Sequence, residues 1–210
     1  MTRFNKSTRR GTMAHYRLKA PLTDEDIKKL YAGDTVTLDG IIFGIRDANL
    51  IRLFDKKVDL PADLVPQLQG SIGLHTAPGV RKLEDGTYEK VSIGTTTSYR
   101  MDRFTRGLMQ DYGMKVIIGK GGLLEDGSQA CVDFNGCYFS ILGGSAALET
   151  TQVEAIEDVW WEDLMPEAIW KFRVKDFGPL IVSIDSHGNN KYKDIKKIAK
   201  ANLDQILNQI

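Results

Sequence analysis

The sequence predicts a single α/β domain with a mixed β-sheet, and three observations favour this fold class. Short apolar runs with strand character recur along the 210 residues, and segments with a helical period lie between them. No long linker, internal repeat or low-complexity segment divides the chain. The composition, 42% hydrophobic and 27% charged, is that of an ordinary globular domain. The domain is expected to span residues 21–210.

The first 20 residues differ from the rest in charge. They contain six basic side chains and no acidic one: Arg3, Lys6, Arg9, Arg10, Arg17 and Lys19. The stretch lacks the apolar core of a secretory signal. Residues 1–20, including His15, are therefore predicted to be a basic arm that is disordered or contacts a partner. A transit peptide is the alternative, and Met13 is an alternative start.

A capped helix is the first element predicted for the domain itself. Thr23 is placed to cap it because Asp26 follows three residues later, and the helix is expected to end near Gly33. The next predicted elements are, in order, strand 35–38, a turn at Asp39-Gly40, strand 41–45, helix 47–57, strand 71–76, a turn at 84–86 and strand 90–93.

The second half begins with a change to helical periodicity at Ser98, and Gly113 is a favourable helix end. The apolar runs predicted as strands are 114–118, 138–142, 170–174 and 180–184. An amphipathic helix is predicted at the C-terminus, and its apolar face consists of Ile195, Ile198, Leu203, Ile206, Leu207 and Ile210.

Charge and cysteine content exclude several function classes. The 28 basic and 28 acidic residues balance, which argues against a nucleic-acid-binding surface. No apolar run approaches the roughly 20 residues that a membrane-spanning helix needs. Cys131 and Cys137 fit neither a disulfide framework nor a zinc site, so they are expected to be core residues of a protein in the reducing cytoplasm.

Three short clusters after predicted strands are candidate anion sites. The stretch 94–100 contains four consecutive residues with hydroxyl groups, 95–98, and ends in Arg100. It lies at a strand-to-helix junction, where backbone N–H groups are free. Gly119-Lys120-Gly121-Gly122 offers close backbone approach and one cation. Arg46-Asp47 ends a buried strand, where α/β folds place ligands. Together these clusters predict a site for a substrate with two carboxylates.

Each cluster also has a plainer interpretation. The first is compatible with an ordinary helix cap, the second with a flexible turn, and the third with a surface ion pair. The glycine–lysine cluster lacks the spacing of a phosphate-binding P-loop. Of the three histidines, His15 and His187 are expected in the arm and a loop, and His75 is the remaining candidate.

Several motifs, taken together, resemble the β half of the iron–sulfur hydro-lyases, the family of class I fumarases and L(+)-tartrate dehydratases. They run from about Leu22 to beyond His187, and the tartrate dehydratase β subunit is the member that they resemble most. The motifs are the stretches 94–102, 119–122, 152–157 and 177–190.

The resemblance implies a swivelling β/β/α domain with a mixed sheet, as in the C-terminal domain of class I fumarase. It implies dehydration of a tartrate-type hydroxy-dicarboxylic acid, in an α2β2 assembly or around a homodimer of this chain. The α subunit is expected to hold a four-iron, four-sulfur cluster through three cysteines, and this chain to bind no metal. By the same resemblance Thr96 and Thr97 are the catalytic residues. Substrate-binding roles fall to Arg46, Asp47, Arg100 and Lys120.

The sequence departs from the family pattern at three places. Asn49 stands where the family has histidine in an Arg-Asp-x-x-His motif, Thr95 replaces proline, and 75–79 replaces a His-Ala-Gly-Pro segment. These departures leave two alternatives to a tartrate-type enzyme. One is a class I fumarate hydratase β subunit, and the other is a diverged subunit with a regulatory, non-catalytic role.

Overall fold

A computed structural model describes residues 13–207, and within them a seven-stranded mixed sheet is surrounded by helices. The strands are β1 His15–Lys19, β2 Thr35–Ile45, β3 Ile72–His75, β4 Gly79–Lys82, β5 Tyr88–Ser92, β6 Val116–Gly119, β7 Cys137–Ser140, β8 Val153–Trp160 and β9 Ile169–Ile184. The helices are α1 Asp24–Lys28, α2 Asp47–Leu50, α3 Asp102–Tyr112, α4 Glu125–Asp133, α5 Ala146–Gln152 and α6 Lys191–Leu207. The prediction of an α/β domain with a mixed sheet is confirmed.

The sheet closes partly on itself. Its order is β1-β2-β3-β6-β7-β9-β8, and β9 also pairs with β2. The strands β1, β2, β3, β6 and β7 run parallel to one another, whereas β9 is antiparallel to each of its partners β2, β7 and β8. Strands β4 and β5 form a separate hairpin around the predicted turn at 84–86. Of these five parallel strands, four end next to one another at one edge of the sheet: β2, β3, β6 and β7.

Alternate side chains of the strands enter two different apolar clusters. In β6, Val116 and Ile118 belong to one cluster and Ile117 to the other; in β7, Phe139 and Tyr138 divide in the same way. The first cluster fills the space enclosed by the sheet. The second lies under α3 and α4, which contribute Phe104 and other apolar residues. Successive strand residues face opposite sides, so this division follows from the strand period of two.

Helix α1 has the predicted cap but is shorter than predicted. The Thr23 hydroxyl accepts from Asp26 N, and the Asp26 carboxylate accepts from Thr23 N, which is a complete capping box. The helix ends at Lys28, not near Gly33, because the hydrogen-bond spacing shortens from four residues to three, as when Leu30 N donates to Ile27 O at 3.0 Å.

The predicted turn at Asp39-Gly40 is wrong, because β2 continues through it. The register with β9 shifts on both sides of Leu38, and Gly40 has a φ of +105°, so the sequence forms a β-bulge. Strand β9 is irregular opposite it, where Asp176 N donates to Asp39 Oδ1 at 2.8 Å. The predicted strands 170–174 and 180–184 are consequently one strand of 16 residues.

The last part of the segment predicted as a basic arm, residues 15–19, forms β1, a parallel neighbour of β2. The His15 ring contacts the hydroxyls of Thr35 and Thr37 at 3.0 and 3.3 Å. Residues 1–12 of the predicted arm lie outside the described residues. Strands β4 and β8 and helices α4 and α5 had no counterpart among the predicted elements.

The C-terminal helix forms as predicted, but its apolar face does not join either apolar cluster. Ile195, Ile198, Leu203, Ile206 and Leu207 are all more than half exposed. Ile210 lies outside the described residues. None of the helices within residues 13–207 has the length and apolar character needed to cross a membrane.

Candidate functional site

The three predicted clusters meet at the edge where the parallel strands end. Arg46 and Asp47 follow β2, and Lys120 follows β6. The segment 94–97 crosses between the ends of β3 and β6: Thr96 N donates to His75 O at 2.7 Å, and Ser98 N donates to Lys120 O at 2.9 Å. Backbone pairing therefore holds the hydroxyl-rich segment beside the other two clusters.

Asp47 links the two arginines. Its carboxylate accepts from Arg100 Nε at 3.1 Å and from Arg100 Nη2 at 2.8 Å, and Arg46 Nε lies 3.4 Å from the same group. The Arg100 hydrogen bonds hold the pKa of Asp47 below its usual range, and they raise the pKa of Arg100. Asp47 and Arg100 are therefore both charged at neutral pH, and the two hydrogen bonds between them fix the plane of the Arg100 guanidinium.

Arg100 also reaches the hydroxyl-rich segment. Its Nη2 donates to Thr96 Oγ1 at 3.4 Å, so a guanidinium lies next to that hydroxyl. Thr96, Lys120 and Arg46 line one open cleft of about 350 Å³, together with the Gly143-Gly144 loop. Thr97 does not line this cleft; its backbone bridges to Lys120, and its methyl group lies beside Gly121. The structure thus places three of the six predicted site residues in the cleft lining, and it connects Asp47 and Arg100 to them through the contacts with Arg46 and Thr96.

Asn49 has a structural position at this site. Its Oδ1 accepts from Arg46 N at 3.2 Å, and its Nδ2 donates to Glu167 O at 2.8 Å. The side chain is almost completely buried. Asn49 therefore closes the turn that presents Arg46, and it does not face the cleft as a titrating group.

Sequence reasoning missed a buried relay beneath the segment 94–97. Tyr138 Oη donates to Ser98 Oγ at 2.9 Å, and Ser98 Oγ lies 2.9 Å from His75 Nδ1. Ser98 Oγ therefore contacts both the phenol of Tyr138 and the imidazole of His75. Burial lowers the pKa of His75 to about 3, so the ring is neutral. The only available sequence signal was the position of His75 at the end of a strand.

The second missed residue is Glu149, a buried carboxylate in the wall of the cleft. It accepts from Thr95 Oγ1 at 2.7 Å and from Ser145 Oγ at 2.6 Å. Glu149 belongs to α5, a helix that the sequence pattern did not reveal. No signal in the sequence distinguished it from the other acidic residues.

The thiols of this chain do not fit the ligand set of an iron–sulfur cluster. Cys131 and Cys137 are both fully buried in the apolar clusters. Burial raises the pKa of Cys131 to about 12 and that of Cys137 well above its ordinary value, so neither is available as a thiolate. Within residues 13–207, no three His, Cys, Asp or Glu side chains are grouped closely enough to hold a metal ion.

Fold and site together define an α/β domain with a cleft, lined in part by Arg46 and Lys120, at the carboxyl ends of its parallel strands. The sequence matches the family model described as Fumarase C-terminus over residues 2–195. The chain belongs to the fumarase C-terminus family. The resemblance to the β half of the hydro-lyases is therefore confirmed.

Individual relatives cover nearly the whole chain. The chain is 41% identical over 194 residues to the L(+)-tartrate dehydratase subunit beta of Escherichia coli, and the aligned residues are 92% of this chain and 94% of the relative. The chain is 36% identical over 191 residues to a putative L(+)-tartrate dehydratase subunit beta of Methanocaldococcus jannaschii, and the aligned residues are 89% of this chain and 95% of the relative. A putative fumarate hydratase class I of Geobacillus stearothermophilus is 38% identical over 192 residues, which are 90% of this chain and 35% of the relative.

Proposed function

We propose that this chain is the β subunit of a two-subunit hydro-lyase that removes water from a tartrate-type hydroxy-dicarboxylic acid. The observation that carries the proposal is the convergence of Arg46, Arg100 and Lys120 around Thr96 at one strand edge. Three cations in and next to one cleft suit a substrate with two carboxylates. The relatives named as tartrate dehydratase β subunits, almost equal to this chain in length, support the same substrate class.

In this proposal the cations both bind the substrate and stabilise charge that develops on it. Arg46 and Lys120 hold carboxylate oxygens from the cleft wall. When the proton leaves the carbon next to a carboxylate, negative charge moves onto that carboxylate, and a fixed cation lowers the energy of this state. Asp47 keeps Arg100 oriented for the same task, since its two hydrogen bonds fix the guanidinium before substrate arrives.

Thr96 is the proposed proton acceptor, with Thr97 supporting its segment from behind. A free threonine hydroxyl is a very weak base, so the assignment requires stabilisation of the deprotonated oxygen. Arg100 supplies a positive charge and a donor to Thr96 Oγ1. Such a neighbour favours the anionic form of the hydroxyl.

The proposal includes a separate α subunit, in an α2β2 assembly, that carries the four-iron, four-sulfur cluster. Its support is the family resemblance and the word "beta" in the names of the relatives. A cytoplasmic location is part of the proposal, since both cysteines are free and buried.

A class I fumarate hydratase β subunit is the second candidate. The 38% identity to a putative fumarate hydratase favours it, and fumarate presents two carboxylates at a similar spacing.

The test is reconstitution with the α subunit under anaerobic conditions. The purified chain alone is expected to be colourless and inactive, and the pair is expected to dehydrate L-tartrate faster than L-malate or citramalate. Activity of the chain alone would refute the divided site, and preference for malate or fumarate would favour the second candidate.

Variants of the β chain test the site itself. Thr96→Ala and Arg100→Ala are expected to reduce turnover at least 100-fold, whereas Thr87→Ala and Arg106→Ala, on other surfaces, serve as matched controls. Near-normal rates in both site variants would support a regulatory subunit instead.

A further inference from the structure

The wall of the cleft contains one group that anion binding does not explain, the buried carboxylate of Glu149. We propose that Glu149 orients the Thr95 hydroxyl as a hydrogen-bond acceptor for a second hydroxyl of the substrate, so that Thr95 selects a 2,3-dihydroxy diacid over a monohydroxy one. The inference rests on the proposed function and names a specificity residue within it.

The direction of the hydrogen bond determines what Thr95 offers to the cleft. Thr95 Oγ1 donates its only proton to Glu149 Oε2 at 2.7 Å. A threonine hydroxyl has one proton and two lone pairs, so once the proton is committed only acceptor capacity remains. Any group that binds to Thr95 from the cleft must therefore be a donor.

Glu149 is fixed firmly enough to maintain this direction. Its other oxygen, Oε1, lies 2.6 Å from Ser145 Oγ, which also contacts Leu142 O, and the backbone N of Glu149 donates to Ser145 O at 2.9 Å. The next residue, Thr150, accepts from Ile93 N at 2.7 Å and so attaches α5 to the start of the segment 94–97. The side chain of Glu149 is 2% exposed, so solvent offers no competing donor.

The acceptor role of Glu149 excludes a carboxylate at the same position. A substrate carboxylate near Thr95 would meet a hydroxyl that cannot donate to it. A substrate hydroxyl would instead donate to Thr95 and complete the chain to the carboxylate. The carboxylates of the substrate are thus directed to Arg46 and Lys120, and a hydroxyl is directed to Thr95.

The position of Thr95 in the chain indicates which substrate hydroxyl would donate to it. Thr95 precedes Thr96, the proposed proton acceptor, and both line the same cleft. A group bound to Thr95 is therefore next to the carbon that loses its proton. In a 2,3-dihydroxy diacid that carbon carries the hydroxyl that is retained, whereas in a monohydroxy diacid it carries only hydrogens.

The experiment uses the reconstituted α–β enzyme with L-tartrate as substrate and L-malate, which lacks that one hydroxyl, as competitor. Thr95→Val is expected to lower kcat/KM for L-tartrate by about 10- to 100-fold, because a lost hydrogen bond from a substrate hydroxyl has this size of effect. The inhibition constant of L-malate is expected to change by less than about threefold. Thr95→Ser, which keeps the hydroxyl, is expected to restore the preference.

Glu149→Gln frees the direction of the Thr95 proton and is expected to reduce the same preference. Thr105→Val is the matched control, since it removes a buried hydroxyl that has no partner in residues 13–207. Equal losses for L-tartrate and L-malate, or an unchanged ratio in Thr95→Val, would overturn the inference and leave the proposed function intact. A wild-type enzyme that turns over no hydroxy-diacid would instead refute the proposed function, and the inference with it.

Discussion

At the scale of single residues, Asp47 determines the orientation of Arg100 and shares Arg46 with Glu167. It accepts two hydrogen bonds from Arg100 and lies 3.4 Å from Arg46 Nε. Asp47→Asn keeps the shape and removes the charge, so Arg100 is expected to lose its fixed orientation. We expect kcat/KM of the reconstituted enzyme to fall about tenfold or more, with little change in the unfolding midpoint.

Asp133→Asn is the control for this variant. Asp133 also accepts from an arginine, Arg106, at 2.9 Å, but on an exposed surface formed by α3 and α4. Its replacement is expected to leave kcat/KM unchanged. If Asp47→Asn behaves like this control, the orientation of Arg100 does not depend on Asp47.

The buried His75 predicts a specific dependence of stability on pH. Folding lowers its pKa from 6.5 to about 3, with burial as the main cause. Between these values the unfolded chain binds a proton that the folded chain excludes, so this group destabilises the fold as the pH falls below about 6.5. Its contribution approaches about 1.4 kcal/mol per pH unit.

His75→Gln removes this titration. Urea unfolding at pH 7 and pH 5 is expected to show a smaller loss of unfolding free energy in the variant than in the wild type, even if the variant is less stable at both pH values. A variant that loses as much stability as the wild type between the two pH values would contradict a neutral, buried His75.

The site residues differ in how far the sequence alone could reveal them. Arg46, Thr96, Arg100 and Lys120 were predictable because each follows an apolar strand or opens a helix, and strand ends of parallel sheets meet. Glu149 was not predictable in this way. Its helix α5 has seven residues with little periodicity, and its link to Thr95 spans 54 positions.

At the scale of elements, the end of β6 must be a glycine because the buried relay passes very close to it. A Cβ at Gly119 would lie 1.8 Å from Ser98 Oγ and 3.0 Å from Tyr138 Oη. Gly119→Ala is therefore expected to displace Ser98, and with it the pairing of Thr96 with Lys120. We expect a loss of activity of about 100-fold or more and a lower unfolding midpoint.

A double variant separates this collision from other effects of the new methyl group. Ser98→Ala removes the oxygen that the methyl would meet, so Gly119→Ala/Ser98→Ala is expected to recover part of the stability that Gly119→Ala loses. Gly79→Ala is the control, because a Cβ there meets only ordinary contacts at 3.6 Å or more. Additive losses in the double variant would show that Ser98 is not the obstacle.

Local signals predicted the ends of elements better than their pairing. Thr23 and Gly113 were recognised because a cap and a left-handed residue are determined by neighbours a few positions away. The bulge at Gly40 looked like a turn, because a glycine with positive φ serves both structures. Only the pairing with β9, more than 130 positions along the chain, distinguishes the two.

At the scale of the whole molecule, β9 connects the parts of the sheet. Its first half pairs with β8 and β2, and its second half pairs with β7 and β2. No pattern in the sequence predicts that one strand pairs with three others, because each pairing depends on residues far apart in the chain. The closed sheet is nevertheless what brings the ends of β2, β3 and β6 into a fixed relation at the cleft.

Helix α6 stands apart from this closed unit, except at its first turn. Tyr192 lies against Gly122 and its Oη is 2.5 Å from Ser140 Oγ, so this turn is tied to the ends of β6 and β7. From Ile195 to Leu207 no residue is buried. The apolar side chains of that segment therefore add little to the free energy of unfolding of the single chain.

The free energy of unfolding of a chain that ends at Asp194 is consequently expected to lie within about 0.5 kcal/mol of the full-length value. In the full-length chain, Tyr192→Ala is expected to lower this free energy by about 2 kcal/mol. Urea unfolding of both proteins measures the difference, and Tyr192→Phe isolates the share of the hydroxyl. If truncation costs as much as Tyr192→Ala, then the distal turns of α6 belong to the cooperative unit. In that case the cooperative unit would extend past residue 195, which is the last residue of the match to the family model.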